Sequence, residues 1–194
     1  MSYKCKVILV GEAGVGKTCL IKQYIYKTFD SEEIPTIAGV ELYKELILNN
    51  EKIKLTIWDT CGQERFRSIN KIFINKSNIV ILVYDITKRE SFEELQNYWY
   101  KNVVSNLGND IIYAVAANKT DLFADEKVHA NDGFKYAQSI GAVFKETSST
   151  THDSIEELFE ELAIKFLKKN SKNYKKQNFE INYDKKNGKK KKMC

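Results

Sequence analysis

Residues Gly11-Glu12-Ala13-Gly14-Val15-Gly16-Lys17-Thr18 satisfy G-x-x-x-x-G-K-[ST] at every fixed position. This run constrains the fold because it works only where a buried strand ends and a helix begins. The apolar stretch Val7-Ile8-Leu9-Val10 stands directly before it and the helix-capable Cys19–Tyr26 directly after. Glycines let successive backbone N–H groups curl inward around a phosphate, and the following helix adds the positive end of its dipole. Lys17 is then placed to reach the β- and γ-phosphates, and the Thr18 hydroxyl to meet Mg²⁺.

The rest of the chain alternates strand and helix patterns. Lys4–Val10 is nearly continuous in apolar character, as a strand buried on both faces of a parallel sheet must be. A helix is expected from Lys17 to about Lys27, then a loop over 29–39 that carries the single proline, Pro35. Val40–Leu48 and Lys52–Trp58 alternate apolar and polar around Asn49-Asn50-Glu51, the signature of an antiparallel hairpin. Ile79–Tyr84 reads as a buried strand ending at Asp85. Thr87 with Glu90, or Ser91 with Glu94, offers a capping box for a helix running to about Leu107. Ile111–Ala117 is a strand, Asn131–Ile140 a helix and Val143–Lys145 a short strand. Ser154 with Glu157 is expected to cap a last helix whose apolar set is Ile155, Leu158, Phe159, Leu162 and Phe166. The order specifies an α/β fold: a doubly wound, mostly parallel sheet with one antiparallel strand, its ligand sites at the carboxyl ends of the strands.

Two units follow, a nucleotide-binding domain over 1–169 and a tail over 170–194 where Asn and Lys dominate and no apolar period survives. The net charge of +5 hides an asymmetry. Twelve lysines against Glu180 and Asp184 give residues 165–194 a net +10, leaving 1–164 at −5. Cys5, Cys19, Cys61 and Cys194 are scattered, with no pairing of the zinc or disulfide type, so reduced cytosolic thiols are expected. The first apolar run is too short for a signal peptide, Ser2 is not the glycine that myristoylation needs, and no apolar run approaches the ~20 residues of a membrane span.

The remaining chemistry also falls at strand ends. After Ile53–Trp58 comes Asp59-Thr60-Cys61-Gly62-Gln63. A carboxylate there can hold Mg²⁺ through water, Gly62 can offer its N–H to a γ-phosphate, and Gln63 can orient an attacking water. After Ile111–Ala117 comes Asn118-Lys119-Thr120-Asp121. With this third element in place, the chain resembles the Ras superfamily of small GTPases. The resemblance implies that Asp121 accepts from guanine N1–H and its 2-amino group, that Asn118 braces the loop, and that Lys119 lies along the base. A buried Asp121 would be left unpaired against adenine, which lacks that donor pair.

The resemblance further implies that Thr36 binds Mg²⁺ and senses the γ-phosphate. Phe29 would pack on the base, and Glu146-Thr147-Ser148-Ser149-Thr150 would form the last guanine element. The implied nucleotide-contacting set is Ala13, Gly14, Val15, Gly16, Lys17, Thr18, Cys19, Phe29, Pro35, Thr36, Gly62, Asn118, Lys119, Asp121, Leu122, Ser148, Ser149 and Thr150. Thr18, Thr36 and Asp59 would hold the Mg²⁺, and Gln63 would be catalytic. Lys54–Thr60 continuing into Gln63-Glu64-Arg65-Phe66-Arg67-Ser68-Ile69, together with Tyr84-Asp85-Ile86-Thr87, is similar to Rab proteins.

The chain departs from that pattern at several points. Ile37-Ala38-Gly39-Val40-Glu41-Leu42 carries an apparent extra residue, which makes Leu42, Trp58 and Phe73 the expected effector-facing triad. Phe73-Ile74-Asn75-Lys76-Ser77 replaces the usual Tyr-Tyr-Arg-Gly-Ala. Cys61 stands for an alanine, so slower hydrolysis or switch rearrangement is expected. Thr150 stands for a lysine whose stem packs on the base.

The function this implies is a GTP/GDP switch in vesicle traffic, monomeric, slow in intrinsic hydrolysis and without specific nucleic-acid binding. Its expected partners are exchange factors, activating proteins, a dissociation inhibitor or escort protein, and effectors. Lys189–Lys192 running into Met193-Cys194 suggest a polybasic, lipidated anchor on endomembranes, of endosomal type by the likeness of Leu107–Ile111. Each lysine near an anionic surface adds about 1 kcal/mol. Rival readings are a catalytically weak guanine-nucleotide scaffold, and a P-loop ATPase or nucleotide kinase that shares 11–18 but has no use for Asn118 and Asp121.

Overall fold

The computed structural model describes residues 2–30, 36, 39–60, 73–108 and 110–170. Among the described residues six strands form one sheet in the order β2-β3-β1-β4-β5-β6, where β1 is Ser2–Val10, β2 Val40–Leu48, β3 Glu51–Asp59, β4 Ile79–Asp85, β5 Ile112–Asn118 and β6 Val143–Thr147. Only β2 and β3 run antiparallel, so the expected doubly wound sheet is the one observed. Helices α1 (Lys17–Tyr26), α2 (Arg89–Glu94), α3 (Tyr100–Leu107), α4 (Ala130–Ser139) and α5 (Asp153–Asn170) cover its two faces.

The apolar runs explain the layering. Along β1, Cys5, Val7 and Leu9 face one side with α1 and α5, while Ile8 and Val10 face the other with α2, α3 and α4. Every residue of β4 is buried, as a central parallel strand between two helical layers requires. Helix α5 buries the whole expected stripe, Ile155, Leu158, Phe159, Leu162 and Phe166, and adds Ala163 and Leu167. Phe159 stacks on Tyr24 of α1 with ring centroids 3.8 Å apart, and the Lys44 ammonium lies 3.6 Å from the Tyr24 ring centroid. The first and last helices are thereby joined beneath the phosphate loop.

Three local expectations are corrected. Neither Thr87 nor Ser91 caps the helix at Arg89, whose N-cap is Lys88 with no side-chain cap. Thr87 instead gives its N–H and hydroxyl to the Asp85 carboxylate, and the Ser91 hydroxyl is spent on the backbone of Asp85 and Lys88. Ser154 does not cap the last helix, which begins one residue earlier at Asp153; Glu157 pairs with Lys145.

The hairpin correction has the widest consequence. Its turn has two residues and not three: Asn49 and Asn50 both take positive φ (51° and 60°), and Leu48 pairs directly with Glu51. Two adjacent left-handed residues give the primed turn that suits strand twist. Moving the turn by one residue moves every cross-strand pair, so Trp58 faces Glu41, and Leu42 faces Ile57 on the opposite side of the sheet. Trp58 and Phe73 do meet, at 5.0 Å, but Leu42 does not share their face. The expected triad is a Trp58–Phe73 pair beside a carboxylate.

Candidate functional site

The loop from Gly11 to Gly16 leaves β1 and turns into α1, where the Leu20 N–H bonds the Gly16 carbonyl. Its glycines are used for different reasons. Gly11 has φ +150°, and a Cβ there would lie 2.2 Å from the Val83 carbonyl oxygen, so a side chain would force β1 and β4 apart. Gly16 has φ +93°, and a Cβ would meet Asn118 Nδ2 at 2.4 Å. The phosphate loop and the Asn118 loop thus touch where only glycine fits. Lys17 is buried, and its Nζ donates to the carbonyls of Gly11 (2.9 Å) and Glu12 (2.8 Å). Its ammonium is held in the mouth of the loop, while Ala13 and Gly14 are exposed and Val15 is buried behind them.

Opposite the loop, three oxygens converge. Thr18 Oγ1 donates to Asp59 Oδ2 at 2.7 Å, Thr36 Oγ1 lies 2.9 Å from Thr18 Oγ1, and Thr36 donates to the same carboxylate oxygen at 3.3 Å. Asp59 ends β3, and the next residue, Thr60, ties that end to β1 by donating to the Leu9 carbonyl at 2.6 Å. One carboxylate and two hydroxyls are hard oxygen donors of the kind Mg²⁺ accepts beside phosphate and water. Among the described residues no cluster of three His, Cys, Asp or Glu offers a rival metal site.

The third part of the site lies at the ends of β4, β5 and β6. Asn118, fully buried as the last residue of β5, donates to the Val15 carbonyl at 2.8 Å and accepts from the Thr147 hydroxyl at 3.1 Å. Its one side chain joins the phosphate loop to β6. Lys119 takes the left-handed conformation (φ 67°), uncommon for a residue with a side chain, and its Nζ lies 2.7 Å from the Asp85 carboxylate. Burial alone would raise the Asp85 pKa; the Lys119 ammonium and the two Thr87 donors outweigh it and hold the carboxyl below its ordinary value. Asp121 accepts from the Ser148 hydroxyl, which in turn accepts from the Thr150 N–H and shares a hydrogen with the Thr150 hydroxyl.

The burial expected for Asp121 is corrected: it is exposed, with Leu122 beside it 44% exposed. Desolvation of this carboxylate would therefore come from a docked base, and not from the fold. Ser149 is buried, Thr150 is exposed and Phe29 is 49% exposed. Cys19 Sγ sits 3.8 Å from the Asp30 carbonyl. Pro35, Cys61, Gly62, Gln63 and residues 171–194 with Cys194 lie outside the described residues.

The structure thus gathers Lys17, Thr18, Thr36 and Asp59 on one side and Asn118, Lys119, Asp121 and Ser148 on the other, with the loop between. Residues 6–168 match the Ras family. The chain belongs to the Ras family. Its relatives include Ras-related protein Rab-21 of Homo sapiens, 39% identical over 166 residues that span 86% of this chain and 73% of that protein. Ras-related protein RABC1 of Arabidopsis thaliana is 37% identical, with 85% and 78% spanned, and Ras-related protein Rab-30 of Homo sapiens is 37% identical, with 84% and 79%. The chain is a Rab-type small GTPase: it binds guanine nucleotide, hydrolyses GTP and serves as a switch in vesicle traffic. Among the described residues of the site nothing favours an ATPase, a nucleotide kinase or an inert scaffold. No helix among the described residues is long and apolar enough to cross a membrane.

Sequence reasoning missed three residues of the site. Thr147 orients Asn118, Asp85 holds Lys119, and Glu12 is bonded by the indole of Trp99. Asp85 had a legible signal, being a carboxylate at the end of a buried strand like Asp59. Thr147 and Glu12 had none apart from their motifs.

Proposed function

We propose that this GTPase couples its nucleotide to shape through the oxygens of Thr18, Thr36 and Asp59, which would hold Mg²⁺. The single observation behind this reading is their convergence within 2.7–3.3 Å from three separate segments of the chain. The bound ion would neutralise charge on the β- and γ-phosphates. Lys17 would exchange the Gly11 and Glu12 carbonyls for phosphate oxygens, a gain because charge-assisted bonds to anions are the stronger kind. Thr36 lies between α1 and β2 in sequence and would report a γ-phosphate through the ion it shares with Thr18 and Asp59. Gln63 orients the attacking water and Gly62 donates to the γ-phosphate; their support is the motif that follows Asp59. Hydrolysis is slow without an activating protein, because the motifs supply no cis arginine.

Asp121 and Ser148, with Asn118 and Lys119 behind them, read the base. Supporting this are the bonds of Asn118 to Val15 and Thr147, the Lys119–Asp85 pair, and the Ser148 hydroxyl already resting on Asp121. The GTPase domain spans residues 1–169, its last helix reaching one residue past that bound to Asn170, and the lysine-rich tail carries the protein to anionic endomembrane surfaces with Cys194 as its lipid site. Similarity to Rab-21 supports an endosomal membrane. The test is release of a fluorescent GDP analogue with and without chelator. Mg²⁺ held as proposed gives faster release on chelation in the wild type and a smaller acceleration in Asp59→Asn; equal acceleration in both sinks the assignment. For the tail, a tagged protein loses its membrane localisation in Cys194→Ser; retained localisation refutes the anchor.

A further inference from the structure

Between α2 and α3 the helix changes its winding for five residues, Leu95–Trp99, without leaving the helical region of backbone space. A π-turn closes its hydrogen bonds one residue further along the chain than an α-helix, is rare, and occurs frequently at functional sites. Its last residue is Trp99, 1% exposed in the core beneath the sheet. The indole Nε1 of Trp99 donates to Glu12 Oε1 at 2.8 Å, across 87 positions of sequence. Glu12 lies inside the phosphate loop, and its carbonyl is one of the two that hold Lys17.

We propose that Trp99 is a positioning residue for the phosphate loop, acting through Glu12. This rests on the reading that the loop binds the nucleotide's phosphates. Two effects of one bond carry it. The carboxylate of Glu12 stands one peptide from a cradle for phosphate, where a loose negative charge repels the ligand; bonded to the indole, the charge is fixed and partly neutralised. The same bond immobilises the peptide whose oxygen orients Lys17. A winding of Leu95–Trp99 as plain α-helix would turn Trp99 by about 100° per residue displaced and carry its N–H away from Glu12. The π-turn is therefore the element that connects the helical layer over β4 to the rate at which nucleotide leaves.

The experiment compares dissociation of a fluorescent GDP analogue from the full-length wild type, Trp99→Phe, Glu12→Gln and the double variant. Trp99→Phe keeps most of the aromatic volume and removes the donor. It is expected to release GDP about tenfold faster, the effect of one charge-assisted bond. Glu12→Gln retains an acceptor oxygen and removes the repelling charge, so in its background Trp99→Phe is expected to change release by less than about threefold. A purely structural Trp99 would accelerate release by the same factor in both backgrounds, and that result overturns the proposal, as does an unchanged rate in Trp99→Phe. Should Trp99→Phe not fold, hydrogen exchange of the ¹⁵N-labelled Trp99 indole decides: slower exchange in wild type than in Glu12→Ala supports the bond, and equal exchange overturns it. A wild type that does not bind the GDP analogue refutes the phosphate reading itself, and this inference with it.

Discussion

The two halves of the nucleotide site are built on different plans. The base side, at the ends of β4, β5 and β6, is bonded within itself: Asn118 to Val15 and Thr147, Lys119 to Asp85, Asp121 to Ser148. Asn118 and Thr147 are completely buried. The metal side has three oxygens from three segments, and its bonds are ones that water or an ion can replace. The difference shows which half is permanent and which is conditional. A network of buried donors and acceptors is costly to open, because each group left unpaired loses about 1–3 kcal/mol. A cluster of part-buried hydroxyls around one carboxylate can come apart for little, which suits a segment that must respond to a γ-phosphate.

The contrast can be broken most forcefully on the base side. Asn118→Ala removes bonds to two other segments: the Val15 carbonyl loses its Asn118 donor and the Thr147 hydroxyl keeps only its long bond to the Ala117 carbonyl. It is expected to lower GDP affinity about a hundredfold and stability by about 3 kcal/mol, read by displacement of a fluorescent analogue and by urea melts. Next in size is Mg²⁺ removal. Chelation is expected to accelerate nucleotide release about tenfold or more while leaving the preference for guanine over adenine unchanged, since no metal oxygen belongs to the base side. Thr36→Ala is expected to weaken a non-hydrolysable GTP analogue about five- to tenfold and GDP by less than twofold, measured by calorimetry. Equal losses for both nucleotides would mean that Thr36 is structural.

The smallest effect is a pH dependence. Folding lowers the Asp85 pKa, so its contribution is fully present above the ordinary value of 3.8 and is lost as pH falls through the lowered value. The acid midpoint of unfolding, followed by circular dichroism, is expected to include this component in the wild type and to lack it in Asp85→Asn. An identical acid limb in both would show that the Lys119–Asp85 pair is not formed in solution.

Much of this was legible in the chain because the motifs sit at strand ends, and buried strands announce themselves by unbroken apolar runs such as Ile79–Val83. What escaped were choices of a single residue. Counting Asn49-Asn50-Glu51 as a three-residue turn pairs Lys52 with Leu48 and brings Leu42 opposite Trp58; the observed two-residue turn brings Glu41 there, and the composition of the exposed face changes. Asparagine tolerates positive φ, so either count suits the sequence. The π-turn is similarly silent, because Leu95 and Trp99 are spaced i, i+4 and read as α-helix. Thr87 and Ser91 fit a capping pattern, but Asp85 competes for their hydroxyls, a tertiary demand that local sequence does not show.

The base-reading design faces its most direct trial in nucleotide selectivity. Guanine presents two donors, N1–H and the 2-amino group, and the Asp121 carboxylate is acceptor-only. Xanthine replaces the amino group with a carbonyl, for which an amide, with one donor and one acceptor, is the complement. Competition binding of GDP, ADP and xanthosine diphosphate to wild type and Asp121→Asn therefore decides. A site of this design prefers GDP over ADP by at least about a hundredfold in the wild type and exchanges that preference for xanthosine diphosphate in Asp121→Asn. Similar affinities for GDP and ADP in the wild type, or GDP preference unchanged in Asp121→Asn, would contradict it.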